Sequence, residues 1–251
     1  RYYKEGYLVG KIEGKLFTIE ERNESRKDSS SGSGSSSIGS SNDDSSSNSN
    51  SNNNSNTSYS FAIEAENNKV KHGNGLDINT THAVLRKFLN FYKVNEFTMT
   101  NTTMHNGIRY NYLTDSLVEN KKFEEIGIEI IGNRFASIFL GGNYKVYNYT
   151  NLASVPYSNV EEMSKGLGLL NSIIKVIRPY YKEGSRDTIC LSLSGYLRKA
   201  GYDINFAKLI VECICIIFHD EEKNNRIKQC VEQTYKQDIE NVSAYNIAKG
   251  I

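Results

Sequence analysis

The stretch Arg178-Pro179-Tyr180-Tyr181-Lys182-Glu183-Gly184-Ser185-Arg186 narrows most what this chain can fold into. Pro179 cannot continue a helix that precedes it, Gly184 can take a left-handed turn, and Arg186 opens a new apolar-periodic segment. Helical patterns surround it. Between Val160 and Ile177 the residues Met163, Leu167, Leu170, Ile173, Ile174 and Ile177 share one face. From Arg186 to Ala200, Ile189, Leu191, Leu193, Tyr196 and Leu197 repeat the pattern, and Lys199 and Gly201 close it. Asn205 to Phe218 is apolar almost all round, which predicts a central helix. Asp220-Glu221-Glu222 then places acids at the start of a last helix running to about Tyr235, where they suit the helix dipole. Short connections make residues 160–237 a helix bundle, with 238–251 as a tail.

Upstream of Pro156, strand patterns dominate. Tyr7 to Glu20 reads as a hairpin of two short extended runs around glycines. Residues 29–58 are Ser, Asn and Gly with little else, and such a tract cannot offset its ordering entropy by burying apolar surface; a disordered insertion is predicted. Tyr59 to Glu64 reads as a strand. Thr80 to Tyr92 has Ala83, Val84, Leu85, Phe88 and Leu89 at helical spacing, with Asn79 or Thr80 as its cap. Strands follow at 96–100 and 108–113, joined by a turn at Asn106-Gly107, then at 126–131, 135–140 and 144–147. The predicted fold class is α+β: a mixed-sheet domain from 1–28 and 59–155, interrupted by the insertion and followed by an all-α bundle.

Lysine plus arginine number 30 and aspartate plus glutamate 29, so no global field favours nucleic acid or an anionic membrane, and any such binding must be local. The four cysteines, Cys190, Cys213, Cys215 and Cys230, occupy apolar positions without metal-ligand spacing, which predicts buried free thiols in a reducing compartment. A run of about 18 apolar residues and a signal-peptide pattern are both missing from the sequence, so a cytoplasmic protein without a membrane partner is expected. The first residue is Arg1, which suggests a piece of a longer protein. Gly73-Asn74-Gly75 is too short for a phosphate loop, and the sequence holds no Gly-x-x-x-x-Gly-Lys-Ser/Thr motif.

The run Tyr180 to Arg186, with Leu191, Gly195-Tyr196-Leu197, Gly201, Asp220-Glu221 and Tyr235, resembles the helix bundle that follows the catalytic domain in primase-polymerases of archaeal plasmids. The likeness covers roughly residues 163 to 237. It implies a catalytic domain with three motifs: a Gly-Lys-Ile turn leading to a strand that ends in paired acids, a His-containing motif that contacts the triphosphate, and an acid before a Gly-rich strand. This chain has Gly10-Lys11-Ile12-Glu13-Gly14 followed by Glu20-Glu21-Arg22, then Gly107-Ile108-Arg109-Tyr110, then Gly127-Ile128-Glu129-Ile130-Ile131-Gly132. Order and spacing follow the family, while Arg22 replaces the second acid and Tyr110 the histidine.

The resemblance implies a DNA primase-polymerase-like replication protein working on single-stranded DNA template with nucleoside triphosphates. Glu20 and Glu129 would hold Mg²⁺ or Mn²⁺, Glu20, Glu129 and Tyr110 would form the catalytic set, and Arg109 would lie near the triphosphate. Glu64 and Glu66 are an alternative acid pair, since Glu-x-Glu on a strand points both carboxylates to one face. In the bundle, Tyr181, Lys182 and Arg186 are expected to contact nucleotide or template at a helix N-terminus. The changed motif letters leave a second reading, a catalytically inactive nucleic-acid-binding accessory. A helicase domain or partner is a further implication. Tyr110, Tyr112, Tyr144, Tyr147 and Tyr149 could stack bases on a sheet, although core or face packing is the commoner explanation for strand tyrosines; His72, His105 and His219 read as turn or loop residues.

Overall fold

A computed structural model describes residues 10–12, 15–17, 58–67, 75–103, 105–132, 146–148 and 152–239. The insertion up to residue 57, the predicted strand at 135–140, Glu20, Arg22, His72, Tyr144, Tyr149 and the tail from residue 240 lie outside them. The architecture is mixed α+β. Strands β1 (Gly10–Ile12) and β2 (Lys15–Phe17) pair antiparallel as the expected hairpin. The main sheet contains β3 (Tyr59–Ala65), β4 (Thr100–Thr102), β5 (Ile108–Thr114), β6 (Lys121–Phe123), β7 (Ile128–Ile131) and β8 (Val146–Asn148) in the order β6-β7-β3-β5-β4-β8. All of these pairs are antiparallel; β9 (Ala153–Ser154) adds a short parallel pairing to the end of β5.

β3 lies centrally because it can be buried on both sides. Phe61, Ile63 and Ala65 point to one face, and Ser60, Ala62 and Glu64 to the other, all of them buried. The apolar face meets helix α1 (Ile78–Phe91), whose Val84, Leu85, Phe88 and Leu89 form the inward stripe. The cap of α1 is Asp77 rather than Asn79 or Thr80: its carboxylate accepts from the Asn79 and Thr80 amides at 2.9 and 3.1 Å. The turn before β5 falls where expected, with Asn106 in a left-handed conformation (φ 58°). Strand β4 begins at Thr100, later than the sequence suggested, because residues 95–99 run as turns and irregular chain held by the Asn95 side chain on the Phe97 amide.

Helices occupy the rest: α2 (Tyr157–Ile177), α3 (Arg186–Lys199) and α4 (Ile204–Ile217). Gly201, at φ 84°, ends α3 in the left-handed conformation anticipated for it. Asp203 caps α4 with the same two-amide pattern as Asp77, and both caps open an Asp-Ile-Asn triplet. The last helical segment starts at Lys223, later than Asp220: α5 (Lys223–Arg226) runs into a π-helical turn over Ile227–Glu232 and then α6 (Gln233–Lys236). Among the described residues, no helix is long and apolar enough to cross a membrane.

The sheet and the helices share one continuous hydrophobic cluster from Phe61 to Val231. Helix α1 forms the join, packing on the sheet with one side and on α4 with the other. Phe91 meets Phe206 edge-on at 6.0 Å, and Glu212 of α4 pairs with Lys87 of α1 at 2.8 Å. Gly166 of α2 brings that helix close to both: a Cβ there would lie 2.5 Å from Tyr92 Oη, 3.1 Å from Phe88 and 3.3 Å from Phe206. Gly166→Val is therefore expected to destabilise the fold by about 1–3 kcal/mol through overpacking, read as a lowered thermal midpoint, while Gly168→Ala, whose added carbon meets its nearest neighbour at 3.7 Å, is expected to raise the midpoint slightly, by the roughly 0.5–1 kcal/mol that alanine gains over glycine inside a helix.

Candidate functional site

Two regions hold the residues singled out by the sequence. The first is the polar face of the sheet. Strand register places Lys122 opposite Glu129, Glu129 opposite Glu64, Glu64 opposite Arg109, and Arg109 opposite Asn101, in a row across five strands. Both candidate acid positions, Glu129 and Glu64, are thus cross-strand neighbours, and Glu66 follows two residues on. Arg109 donates from Nε and Nη2 to one Glu64 oxygen, at 3.1 and 2.7 Å, and Lys122 Nζ stands 3.7 Å from Glu66. Glu64 and Glu66 are nearly buried, so these cations offset what would otherwise be costly buried charge.

Carboxylate oxygens are the right chemistry for Mg²⁺ or Mn²⁺. The described residues nonetheless do not fit such an ion by themselves: the Arg109 guanidinium already holds Glu64, and no group of three His, Cys, Asp or Glu side chains among them is placed to share a metal. Tyr110 does not join Glu129. It points to the opposite face, toward α1, where its hydroxyl lies 2.5 Å from His82 Nε2 and its ring stacks on the imidazole. Burial pushes the Tyr110 phenol up to about 12. His82, which the sequence did not flag, sits one turn before Arg86, itself paired bidentately with Glu96 at 2.7 and 3.1 Å. The i, i+4 spacing of His82 and Arg86 on an amphipathic helix was the available signal.

The second region is the turn after α2. Tyr181 is buried: its hydroxyl donates to Asp220 at 2.8 Å and touches the Cys190 and Cys215 sulfurs, and its ring stacks on Phe218 at 4.6 Å. Burial and these neighbours raise the Tyr181 phenol far above its usual range. Asp220, with no exposed side-chain surface, also accepts from Arg226 Nε at 3.1 Å and from the Glu222 amide at 3.0 Å, and Arg186 lies 3.6 Å away. Burial pushes the Asp220 carboxyl upward, yet the bonds from Tyr181, Glu222 and Arg226 outweigh it and hold the group below its ordinary value. Arg226 is tied in turn to Asp187 and, at 2.9 Å, to Glu222. All four cysteines are buried and free, and burial raises Cys213 and Cys230.

Above this network the turn is held open to solvent. Gly184 takes φ 83°, Ser185 N donates to Lys182 O at 3.0 Å, and Ser185 Oγ lies 2.6 Å from the Tyr180 carbonyl. Lys182 projects outward and Tyr180 is 43% exposed. Arg186 is intermediate, its guanidinium 6.0 Å above the Tyr181 ring. Of the three residues expected to meet nucleic acid, Lys182 is outside, Arg186 is divided between the network and the surface, and Tyr181 is internal. The exposed aromatic is its neighbour Tyr180.

Comparison of the chain with protein-family models, curated proteins and solved structures finds no match.

Two outcomes follow from this geometry. Asp220→Ala leaves Arg226 and the Tyr181 hydroxyl without their buried acceptor and is expected to cost about 3 kcal/mol in chemical denaturation. Burial, with Arg86 adding to it, holds the His82 pKa below its ordinary value, so the folded state takes up that proton less readily than the unfolded chain. The His82 contribution is therefore complete above the unfolded value of about 6.5 and is lost as pH falls below it. A stability titration of wild type from neutral to mildly acid pH should decline in that window, and His82→Gln should flatten it.

Proposed function

We propose that this chain is a replication protein of primase-polymerase type that holds single-stranded nucleic acid on the turn between α2 and α3. The observation carrying this reading is the exposed Tyr180 beside Lys182, on a turn fixed from below by Tyr181, Arg186 and Asp220. Stacking on an exposed aromatic ring and pairing of an ammonium with phosphate are the two contacts that grip a single strand without reading its sequence. A rigid base lowers the ordering cost of both. The near-neutral chain suits a local grip rather than a long electrostatic track.

A second reading, nucleotidyl transfer, is favoured by the row on the sheet, where Glu129 and Glu64 stand beside Arg109, a guanidinium suited to a triphosphate. Glu20, the other proposed metal ligand, lies outside the described residues, and Glu129 would act with it. Mg²⁺ or Mn²⁺ would be the cofactor, and single-stranded DNA and nucleoside triphosphates the substrates.

Tyr180→Ala is expected to weaken binding of single-stranded oligonucleotides by roughly tenfold, the loss of one base stack. Lys182→Ala should reduce the salt slope of binding by about 0.7, the loss of one phosphate contact on a single strand. Fluorescence anisotropy across a salt series measures both, with thermal midpoints as the control for folding; unchanged affinity in both variants removes this proposal. For the second reading, primer synthesis on a single-stranded template with Mn²⁺ is compared between wild type and Glu129→Ala. Product from the wild type alone supports synthesis, and equal absence of product from both, with binding retained, leaves the chain a binding protein.

A further inference from the structure

Arg178 ends α2 two residues before Tyr180, and its side chain reaches away from the turn to the sheet. Its Nε donates to the Glu125 carboxylate at 3.2 Å and its Nη2 to the Glu125 carbonyl at 2.9 Å. The Glu125 amide donates to Asn171 Oδ1, also on α2, at 2.9 Å. Every polar group of Glu125 is therefore held by one helix. Glu125 sits in the turn between β6 and β7, with Lys122 before it and Glu129 after it. The same turn is fastened on its other side, where the Glu66 amide donates to Gly127 O at 2.7 Å. A short chain of bonds thus runs from the residue before Pro179, through the β6–β7 turn, to the strand end that carries Glu66.

Stability alone accounts poorly for this arrangement. Arg178 and Glu125 are 39% and 30% exposed in their side chains, a setting in which an ion pair contributes little to folding. What a planar guanidinium with two directed donors supplies is a fixed direction, which an ammonium cannot. We propose that Arg178 is a positioning residue that sets the strand-gripping turn in register with the charged row of the sheet, so that a single strand held at Tyr180 lies at a defined place relative to Glu129, Glu64 and Arg109. This rests on the nucleic-acid reading given above. When a strand stiffens the turn, the β6–β7 connection stiffens with it.

The test is amide hydrogen exchange of the full chain with and without oligo-dT, alongside a separate measurement of oligo-dT affinity. In the wild type, oligo-dT is expected to slow exchange at Glu125 to Gly127 severalfold. In Arg178→Ala the affinity should be unchanged, because Tyr180 and Lys182 remain, while that slowing disappears. Arg178→Lys keeps the charge but cannot hold the carboxylate and the carbonyl together, and it should behave as the alanine variant does. Glu125→Gln, which keeps the backbone acceptor, should retain part of the slowing and serves if the alanine variant does not fold. Binding without slowing in the wild type, or slowing that persists in Arg178→Ala, overturns the positioning role and leaves the binding reading standing. Absence of oligo-dT binding by the wild type overturns both.

Discussion

A carboxylate with no exposed surface must be answered by donors, and Asp220 is answered from three directions. Tyr181 comes from the turn after α2, Arg186 from the start of α3, and Arg226 from the last helical segment. The turn and α3 are consecutive, whereas Asp220 lies 39 positions beyond Tyr181, so the charge acts as a common anchor for chain segments that apolar packing alone could set at several rotations. Hydrophobic burial is tolerant of such rotation, whereas a hydrogen-bonded charge is directional. The exposed Tyr180-Lys182 surface inherits its geometry from that anchor.

The helices were the most legible part of the sequence, because a long amphipathic period survives the exchange of individual residues. Two capping residues illustrate the limit. Gly201 marked the boundary that Asp203 follows, while Asp77, in the same Asp-Ile-Asn triplet, was masked by Asn79 and Thr80, which have comparable capping chemistry. Strands β6 and β9 were not legible at all. Lys121-Lys122-Phe123 and Ala153-Ser154 are too short to show alternation, and they are strands because β7 and β5 offer free edges to them.

The candidate residues followed the same division. Glu129, Glu64, Glu66 and Arg109 could each be picked out by type, but only register shows that Glu129 and Glu64 face each other and that Arg109 is already bonded to one of them. Tyr181 looked like a surface residue because it lies in a run of polar and aromatic residues. Its burial is decided by an aspartate 39 positions away, a distance no local pattern spans. The helices also read as a separable bundle, whereas the seam of Phe91, Phe206, Lys87 and Glu212 depends on α1, which local patterning assigned to the sheet.

The π-helical turn at Ile227–Glu232 has a geometric role of its own. An α-helix turns about 100° per residue, so the two ends of a regular segment from Lys223 to Lys236 would be locked in one phase. A wider turn absorbs about one extra residue and resets that phase. At the near end Arg226 can then aim at Asp220, and at the far end Thr234 offers its carbonyl to Arg198 while the Tyr235 hydroxyl reaches the Tyr202 carbonyl at 2.8 Å. The segment behaves as two short helices sharing an axis with independent azimuths, which lets one piece of chain serve two docking partners whose positions were set elsewhere in the fold.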